Sequence, residues 1–483
     1  MSKKLIISGV FACVSLWGSA APTQEPIVNN DFAIDAFDGP VLGSSRWVSL
    51  GGAATAVADG IAGVHWNPAC FASRYLFELD WWEWDLALSY FSPGVFGQTD
   101  IFNNGVGLRS DAFHFGNSGL RFQFGRLGLG LDFRGKTFRV ATTSGEVDVE
   151  LLEGHSGLGW AFADGQLVLG LAVRGADLYV KKDRQELVRF SGVKHEFGLL
   201  VRPEGQRWRL GLVGRLPIES TIESGPGVIE TNGVKSAAGF VLPQKVSMPW
   251  ELRAGLAWQF FGRPLNQRWR EARDVEEELE ARLELLRCRR RLEQLKQEAE
   301  AQGRKLPPAR RCPAELERPK SEEWWAREWQ LRRREEATLK QAVAEEEERI
   351  YWARRRGYEA LPRDYLLVSF DVVVTGATAG GVGLDAFLQQ QRRLSGKNVS
   401  VGFGLGAEAE PWTDRLKVRA GFYLEPARIS GSFARPHGTV GFEAKLFSWD
   451  LFGWVHPFSF SFLLAGDFAP RYADLGLGVG FWH

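Results

Sequence analysis

Two long runs between residues 398 and 428 set the terms for any fold of this chain. Val399, Val401, Phe403, Leu405, Ala407 and Ala409 interleave with Ser400, Gly402, Gly404, Gly406, Glu408 and Glu410. Leu416, Val418, Ala420, Phe422 and Leu424 then interleave with Arg415, Lys417, Arg419, Gly421 and Tyr423, and Leu252, Ala254, Leu256, Trp258 and Phe260 repeat the pattern upstream. In extended chain successive Cβ atoms point to opposite faces, so each apolar set lies on one face. A soluble sandwich would alternate too, but soluble strands are commonly only about five or six residues long. Here the second face also carries glycine and charge, as a solvated lumen requires.

The same reading along the chain gives fourteen strands, over 76–91, 110–124, 127–142, 146–163, 166–182, 187–202, 207–219, 250–261, 365–376, 398–410, 415–428, 438–449, 454–469 and 473–482. An even count suits a single-chain bacterial barrel, and backbone groups in lipid are all paired only if the sheet closes. If the last strand ends in the periplasm, the connections after even-numbered strands are periplasmic. Those at Asp164-Gly165, Pro203–Gln206, Glu410–Asp414 and Ser448–Gly453 are short and rich in turn residues. The long stretches 92–109, 220–249 and 377–397 fall on the outer side, as barrels have them. The final strand, Leu475, Leu477, Val479 and Phe481 followed by Trp482, is similar to an outer-membrane assembly signal.

Composition agrees. Equal numbers of acidic and basic residues, 59 of each, give no net charge to draw nucleic acid. The 55 glycines and 12% aromatics fit a membrane barrel, and no apolar run is long enough for a spanning helix. Lys3-Lys4, an apolar core to Trp17 and Gly18-Ser19-Ala20 read as a signal peptide over 1–20. Cys13 sits too early in that core for a lipoprotein signal. Three cysteines remain after cleavage, so at least one is unpaired in the monomer.

Ahead of the strands lies LGGAATAVADGIAGVHWNPACFAS, rich in small residues that allow close backbone approach. Pro68 is expected to end a helix over 53–61, because the residue before proline avoids helical geometry. This stretch resembles the N-terminal hatch of the FadL/TodX-type long-chain fatty acid transporters and the related PorV-like barrels. Gly51, Gly52, Ala53, Asp59, Trp66, Asn67, Pro68 and Ala69 match that pattern, and Cys70 stands where the family usually has glycine. The resemblance implies an all-β fold: a fourteen-stranded antiparallel transmembrane β-barrel with an N-terminal hatch over 21–75 and barrel strands over 76–261 and 365–483. It also implies uptake of hydrophobic small molecules such as long-chain fatty acids or hydrocarbons, past the hatch and out through a lateral gap. A PorV-like assembly or secretion component is the alternative. Asp59 is open to three roles: a channel charge, a hatch salt bridge or a helix-end group.

One periplasmic connection, 262–364, is different. In 271–300 17 of 30 residues are charged, in 321–350 15 of 30, and good helix formers dominate. Val275, Leu279, Leu283, Leu286, Leu292 and Leu295 mark a coiled-coil-like stripe. Gly303, Pro307, Pro308, Pro313 and Pro319 interrupt the chain before a second arm bearing Trp324, Trp325 and Trp329. The expectation is an inserted α-helical hairpin in the periplasm, offered to a periplasmic or peptidoglycan partner. Cys288 and Cys312 flank the link and are close enough along the chain for a disulfide, leaving Cys70 free. The remaining expected partners are outer-membrane lipid, the outer-membrane assembly machinery and the hydrophobic substrate. No catalytic set, metal-ligand spacing or cofactor motif is found; His195-Glu196 falls mid-strand with no apparent partner. The chain reads as a non-enzyme of the outer membrane.

Overall fold

The computed structural model describes residues 25–37, 39–73, 82–94, 96–97, 100–105, 113–142, 145–182, 185–221, 227–266, 361–449 and 458–482, with isolated positions between 267 and 360. Fourteen strands close into one antiparallel barrel. They are β1 (Trp82–Pro93), β2 (His114–Phe124), β3 (Leu127–Thr142), β4 (Gly145–Phe162), β5 (Leu167–Lys182), β6 (Gln185–Val201) and β7 (Trp208–Arg215). The second half comprises β8 (Glu251–Phe260), β9 (Leu366–Thr375), β10 (Ser400–Trp412), β11 (Leu416–Glu425), β12 (Arg435–Trp449), β13 (Phe458–Ala469) and β14 (Tyr472–Phe481). Each strand pairs with the next, and β14 pairs with β1 from Asp474↔Pro93 to Gly480↔Ala87. All-neighbour antiparallel order needs only local hairpins, so the long alternating runs translate directly into a wall.

The apolar members of those runs face outward. Leu131, Phe133, Val193, Phe197, Val401 and Leu405 are exposed around the ring. An aromatic girdle surrounds the end bearing the even-numbered connections, called here the turn end. Trp160 and Phe162 supply it on β4, and Trp258 and Phe260 on β8. At the β14–β1 seam Phe481 packs on Trp84 at 4.9 Å, Phe458 at 4.7 Å and Phe460 at 5.6 Å. Trp482 follows, its indole donating to Asp414 at 3.0 Å with Lys417 over the ring. An outward apolar band with aromatic rims is the surface of a membrane barrel.

The opposite, loop end is covered. Ala33–Asp35 lies between Lys245–Met248 and Gly381–Gly383, parallel to both, and Ile218–Thr221 completes a four-stranded sheet. Asp35 is buried beneath it and accepts from Arg428 (2.7 and 3.0 Å), Thr378 (2.8 Å) and Ser395 (2.6 Å). From there the chain runs through the barrel to Ser73 and enters β1 at the turn end. No helix spans 53–61; this part is a series of turns. Gly51, Gly52 and Gly60 sit at φ +62°, +70° and +59°, and the Asp371 carboxylate takes the Ala54 and Thr55 amides, which holds the backbone out of helical geometry. Pro68 opens a short 3₁₀ helix, Pro68–Ala72, instead of ending one. The first position of a helix needs no N–H bond there, so proline is accepted.

The insertion leaves and re-enters at the turn end. Asn266 exchanges backbone bonds with Gly205 and Gln206 in the β6–β7 turn, and Arg363 pairs with Glu410 at 3.1 Å. Described positions such as Gln341, Glu345, Ile350 and Ala353 are helical. Cys288, Cys312, Trp324, Trp325 and Trp329 lie outside the described residues.

Candidate functional site

The inward residues of single strands change character with height. On β4 they read Val147, Val149 and Leu151 near the loop end, then Glu153 and His155, then Gly157 and Gly159 toward the turn end. On β3 the order is Val140 and Phe138, then Arg134 and Asp132, then Gly130 and Gly128. Three tiers therefore line the barrel: apolar, charged and glycine.

The glycine tier receives the N-terminal segment. A Cβ on Gly170 would lie 2.2 Å from the Pro68 carbonyl carbon, and one on Gly198 2.2 Å from Asn67 Oδ1. On Gly211 it would lie 2.0 Å from the Thr55 oxygen, and on Gly404 and Gly421 it would strike Gly51. These strands lie on opposite sides of the ring, so the segment occupies the lumen. The expectation of a solvated inner face is corrected: Asp132, Glu196 and Arg121 are buried. Glycine faced inward because backbone comes within contact distance there, a role glycine alone fits.

The residues of the sequence motif all lie in this contact. Gly51 has no room for a Cβ, which would meet the Phe422 backbone at 2.7 Å; on Gly52 it would crowd Val41 at 3.0 Å. Ala53 and Ala69 are fully buried. Asp59 forms an ion pair with Arg46 at 2.5 Å. Trp66 is buried beneath the Arg253 guanidinium at 4.8 Å. Asn67 caps the 3₁₀ helix by accepting from Ala69 at 3.0 Å and donates to Thr55 and to Leu199 on the wall. Cys70 is buried with a free thiol. Leu477 and Val479 point outward, with Leu475 on the same face.

The charged tier is a chain of alternating signs. Glu153 binds Arg134 (2.7 Å) and Arg174 (2.8 Å). Glu196 binds His155 (2.8 Å) and Arg215 (3.1 Å), correcting the reading that the His195-Glu196 pair lacks partners. Arg215 continues to Glu251, and Glu251 to Arg253. Buried charges in register with opposite charges meet the requirement that desolvated ions be paired. All but Glu251–Arg253 join different strands, at separations from 19 to 41 residues, and alternation alone could not reveal them.

Two cavities lie above the glycine tier. The inner one encloses about 880 Å³ of non-atom space, includes open solvent and lies between Trp66, Val41 and the charged tier. The outer one, about 770 Å³, lies among Ile101, Phe102, Phe113, Phe138, Val149 and Leu178 under the loop-end cover. Phe37, Gly39, Lys136, Leu151, Glu425 and Pro426 line both, so the two adjoin. At the cover, Asp385 accepts from Asn104 at 2.5 Å, and burial raises its carboxyl above the usual range against that bond.

The inner cavity meets the wall where pairing fails. β9 and β10 pair up to Thr375↔Ser400, but β10 and β11 pair only to Phe403↔Leu424. Beyond that point the register would set Pro426 opposite Val401, and proline has no N–H to offer the ladder. Gly402, Phe403, Leu424 and Pro426 all line the cavity, and Phe403 is also exposed on the barrel's outer surface.

These features define a class: a membrane β-barrel whose lumen holds its own N-terminal segment, with cavities left above it. Among solved structures the chain is similar to the CymD monoaromatic hydrocarbon channel, at 10% identity over 91% of this chain and 96% of that one, TM-score 0.46. It is also similar to the P. putida toluene transporter TodX, at 11% identity over 92% and 98%, TM-score 0.42. No protein-family model and no curated protein sequence matches the chain.

Proposed function

We propose that this chain is an outer-membrane channel of the FadL/TodX type that passes hydrophobic small molecules around an N-terminal hatch. The observation carrying this reading is the pair of adjoining cavities, apolar toward the loop end and reaching a break in the wall at Gly402–Pro426. An apolar solute entering the outer cavity loses contact with water while the charged tier and the hatch block a straight path. Leaving sideways between β10 and β11 delivers it to lipid, where apolar surface is favoured. The loop end then faces outside, and the inserted hairpin, rooted at Asn266 and Arg363, extends into the periplasm.

The test is uptake of an apolar fluorescent probe by cells or vesicles carrying Leu178→Asp or Phe138→Asp in the outer cavity. Both variants are expected to keep heat-resistant barrel migration and lose most uptake. Unchanged uptake in both would exclude the cavity as the route. Purification with a stoichiometric protein partner and no lipid-like molecule in the lumen would favour the docking-barrel reading.

A further inference from the structure

His65 on the N-terminal segment, Asp132 on β3 and His155 on β4 come together in the charged tier. Asp132 and His155 are direct cross-strand partners, and one ligand atom from each of the three residues lies within 4.8 Å of the others. All three are nearly inaccessible, at 3%, 1% and 1% exposure. Each also has a buried atom with no hydrogen-bond partner among the described residues: His65 Nδ1, Asp132 Oδ2 and His155 Nε2. Burying a polar atom with no partner is unfavourable, and three of them in one cluster call for an occupant.

The other atoms of two of these side chains are already held. His155 Nδ1 faces Glu196 Oε1 at 2.8 Å, so its proton sits there and the Nε2 lone pair is left for a ligand. Asp132 Oδ1 accepts from Asn117 at 2.9 Å. A carboxylate behind a ligating imidazole is the usual support of a metal-bound histidine. Arg215 donates to the His65 carbonyl and fixes that backbone beside the wall.

We propose that His65, Asp132 and His155 form a three-ligand site for a divalent ion of the zinc class, clamping the N-terminal segment to β3 and β4. Two imidazoles and one carboxylate suit Zn²⁺, with bonds of about 2.0–2.1 Å and ligand atoms about 3.4 Å apart. From ligand atoms within 4.8 Å of one another, reaching that spacing needs a closure of no more than about 1.4 Å per pair. A fourth position remains toward the inner cavity, which His65 also lines. Arg134 now approaches His65 Nε2 at 2.9 Å, which places the proton on Nδ1. Binding therefore moves that proton to Nε2, and Arg134 withdraws from it while keeping both bonds to Glu153. Four cations lie nearby, Arg134, Arg174, Arg215 and Arg253, facing Glu153, Glu196 and Glu251, and Asp132 adds the fourth negative charge.

The test uses the full chain in detergent, stripped with EDTA and re-equilibrated with Zn²⁺, in a Cys288→Ser/Cys312→Ser background that removes thiolate ligands. Elemental analysis is expected to find about one zinc per chain, falling to a trace in Asp132→Asn and His155→Gln. Glu196→Gln, behind the ligand, is expected to weaken binding about 10- to 100-fold. Heat-modified electrophoretic migration checks that each variant is folded. Co²⁺ loading of the unmutated lumen is expected to give the intense visible bands of four-coordinate nitrogen and oxygen ligation, a readout that needs no substitution in the site. No zinc above background, unchanged stoichiometry in both ligand variants, or a Co²⁺ spectrum like that of the aqueous ion would each overturn the site. None of these readouts depends on transport.

Discussion

Asp371 is the wall residue whose loss should most directly loosen the N-terminal segment. Its Oδ2 accepts the Ala54 amide at 3.1 Å and the Thr55 amide at 2.9 Å, in a buried setting. Hydrogen bonds to a charged acceptor contribute about 1.5–3 kcal/mol each, so Asp371→Ala removes at least about 3 kcal/mol from the seated state. At 1.4 kcal/mol per factor of ten, the unseated population rises about a hundredfold. Asp371→Asn leaves a neutral acceptor in place and loses about 1 kcal/mol, roughly a fivefold change. The barrel itself should persist, because β9 keeps both of its strand partners. Two assays read the effect: sugar efflux from proteoliposomes, and hydrogen exchange at the Ala54 and Thr55 amides. Leakage and exchange rates should rank wild type, Asp371→Asn, Asp371→Ala. Wild-type values for Asp371→Ala would refute the anchor, and equal effects of the two substitutions would show that charge rather than hydrogen bonding holds the segment.

Gly170→Val should displace the Pro68–Ala72 helix and raise leakage without unfolding the barrel, since the clash is with backbone that cannot rotate away; unchanged efflux would contradict the packing. Asp414 lies in the β10–β11 turn, where burial would raise its carboxyl but the bond and charge of Lys445, with Arg363 and the Trp482 indole, hold it below the usual range. A depressed carboxyl stabilises above its unfolded value of about 3.9 and loses that contribution as pH falls through the folded value. Asp414→Asn should therefore lower the melting temperature at pH 7 but match wild type at strongly acid pH, as scanning fluorimetry would show. Deleting Phe481–His483 should sharply reduce membrane insertion, measured by the heat-modifiable fraction, because the seam's ring cluster goes with it. Replacing 267–360 by Asn-Gly should leave a folded barrel, and a cysteine at Gln302 should resist surface labelling in intact cells; labelling there would reverse the proposed orientation.

The wall was legible in the sequence and the interior only partly. Strand limits follow the alternation closely: the expected 127–142 is β3 itself, and the expected 398–410 lies close to Ser400–Trp412. Alternation assigns faces residue by residue, so the outward side of β10 needed no tertiary information. Small residues marked the N-terminal segment as closely packed, but its local shape was missed. Turns between Ala53 and Gly60 follow from Asp371, 316 residues away from Thr55 in the chain. His65, Asp132 and His155 have no motif spacing, because hairpin register and the path of the segment bring them together. The sheet at the loop end was equally hidden: three residues, Ala33–Asp35, form it by parallel pairing with strands more than two hundred positions later.

The route of the N-terminal segment constrains the order in which this molecule can fold. Residues 33–35 are held at one mouth, Ser73 leads to β1 at the other, and the length between is enclosed by a ring with no open edge. Asp35 meets Arg428 across 393 residues of chain, so this tether can form only after most of the polypeptide is present. A finished ring would have to admit a strip already anchored to its own first strand. Assembly is simpler if the sheet curls around the strip and the β14–β1 seam zips last, as a hoop is closed round a rod. Contacts of such long range also slow folding, and the final seven paired positions of the seam would set the moment at which the interior is committed.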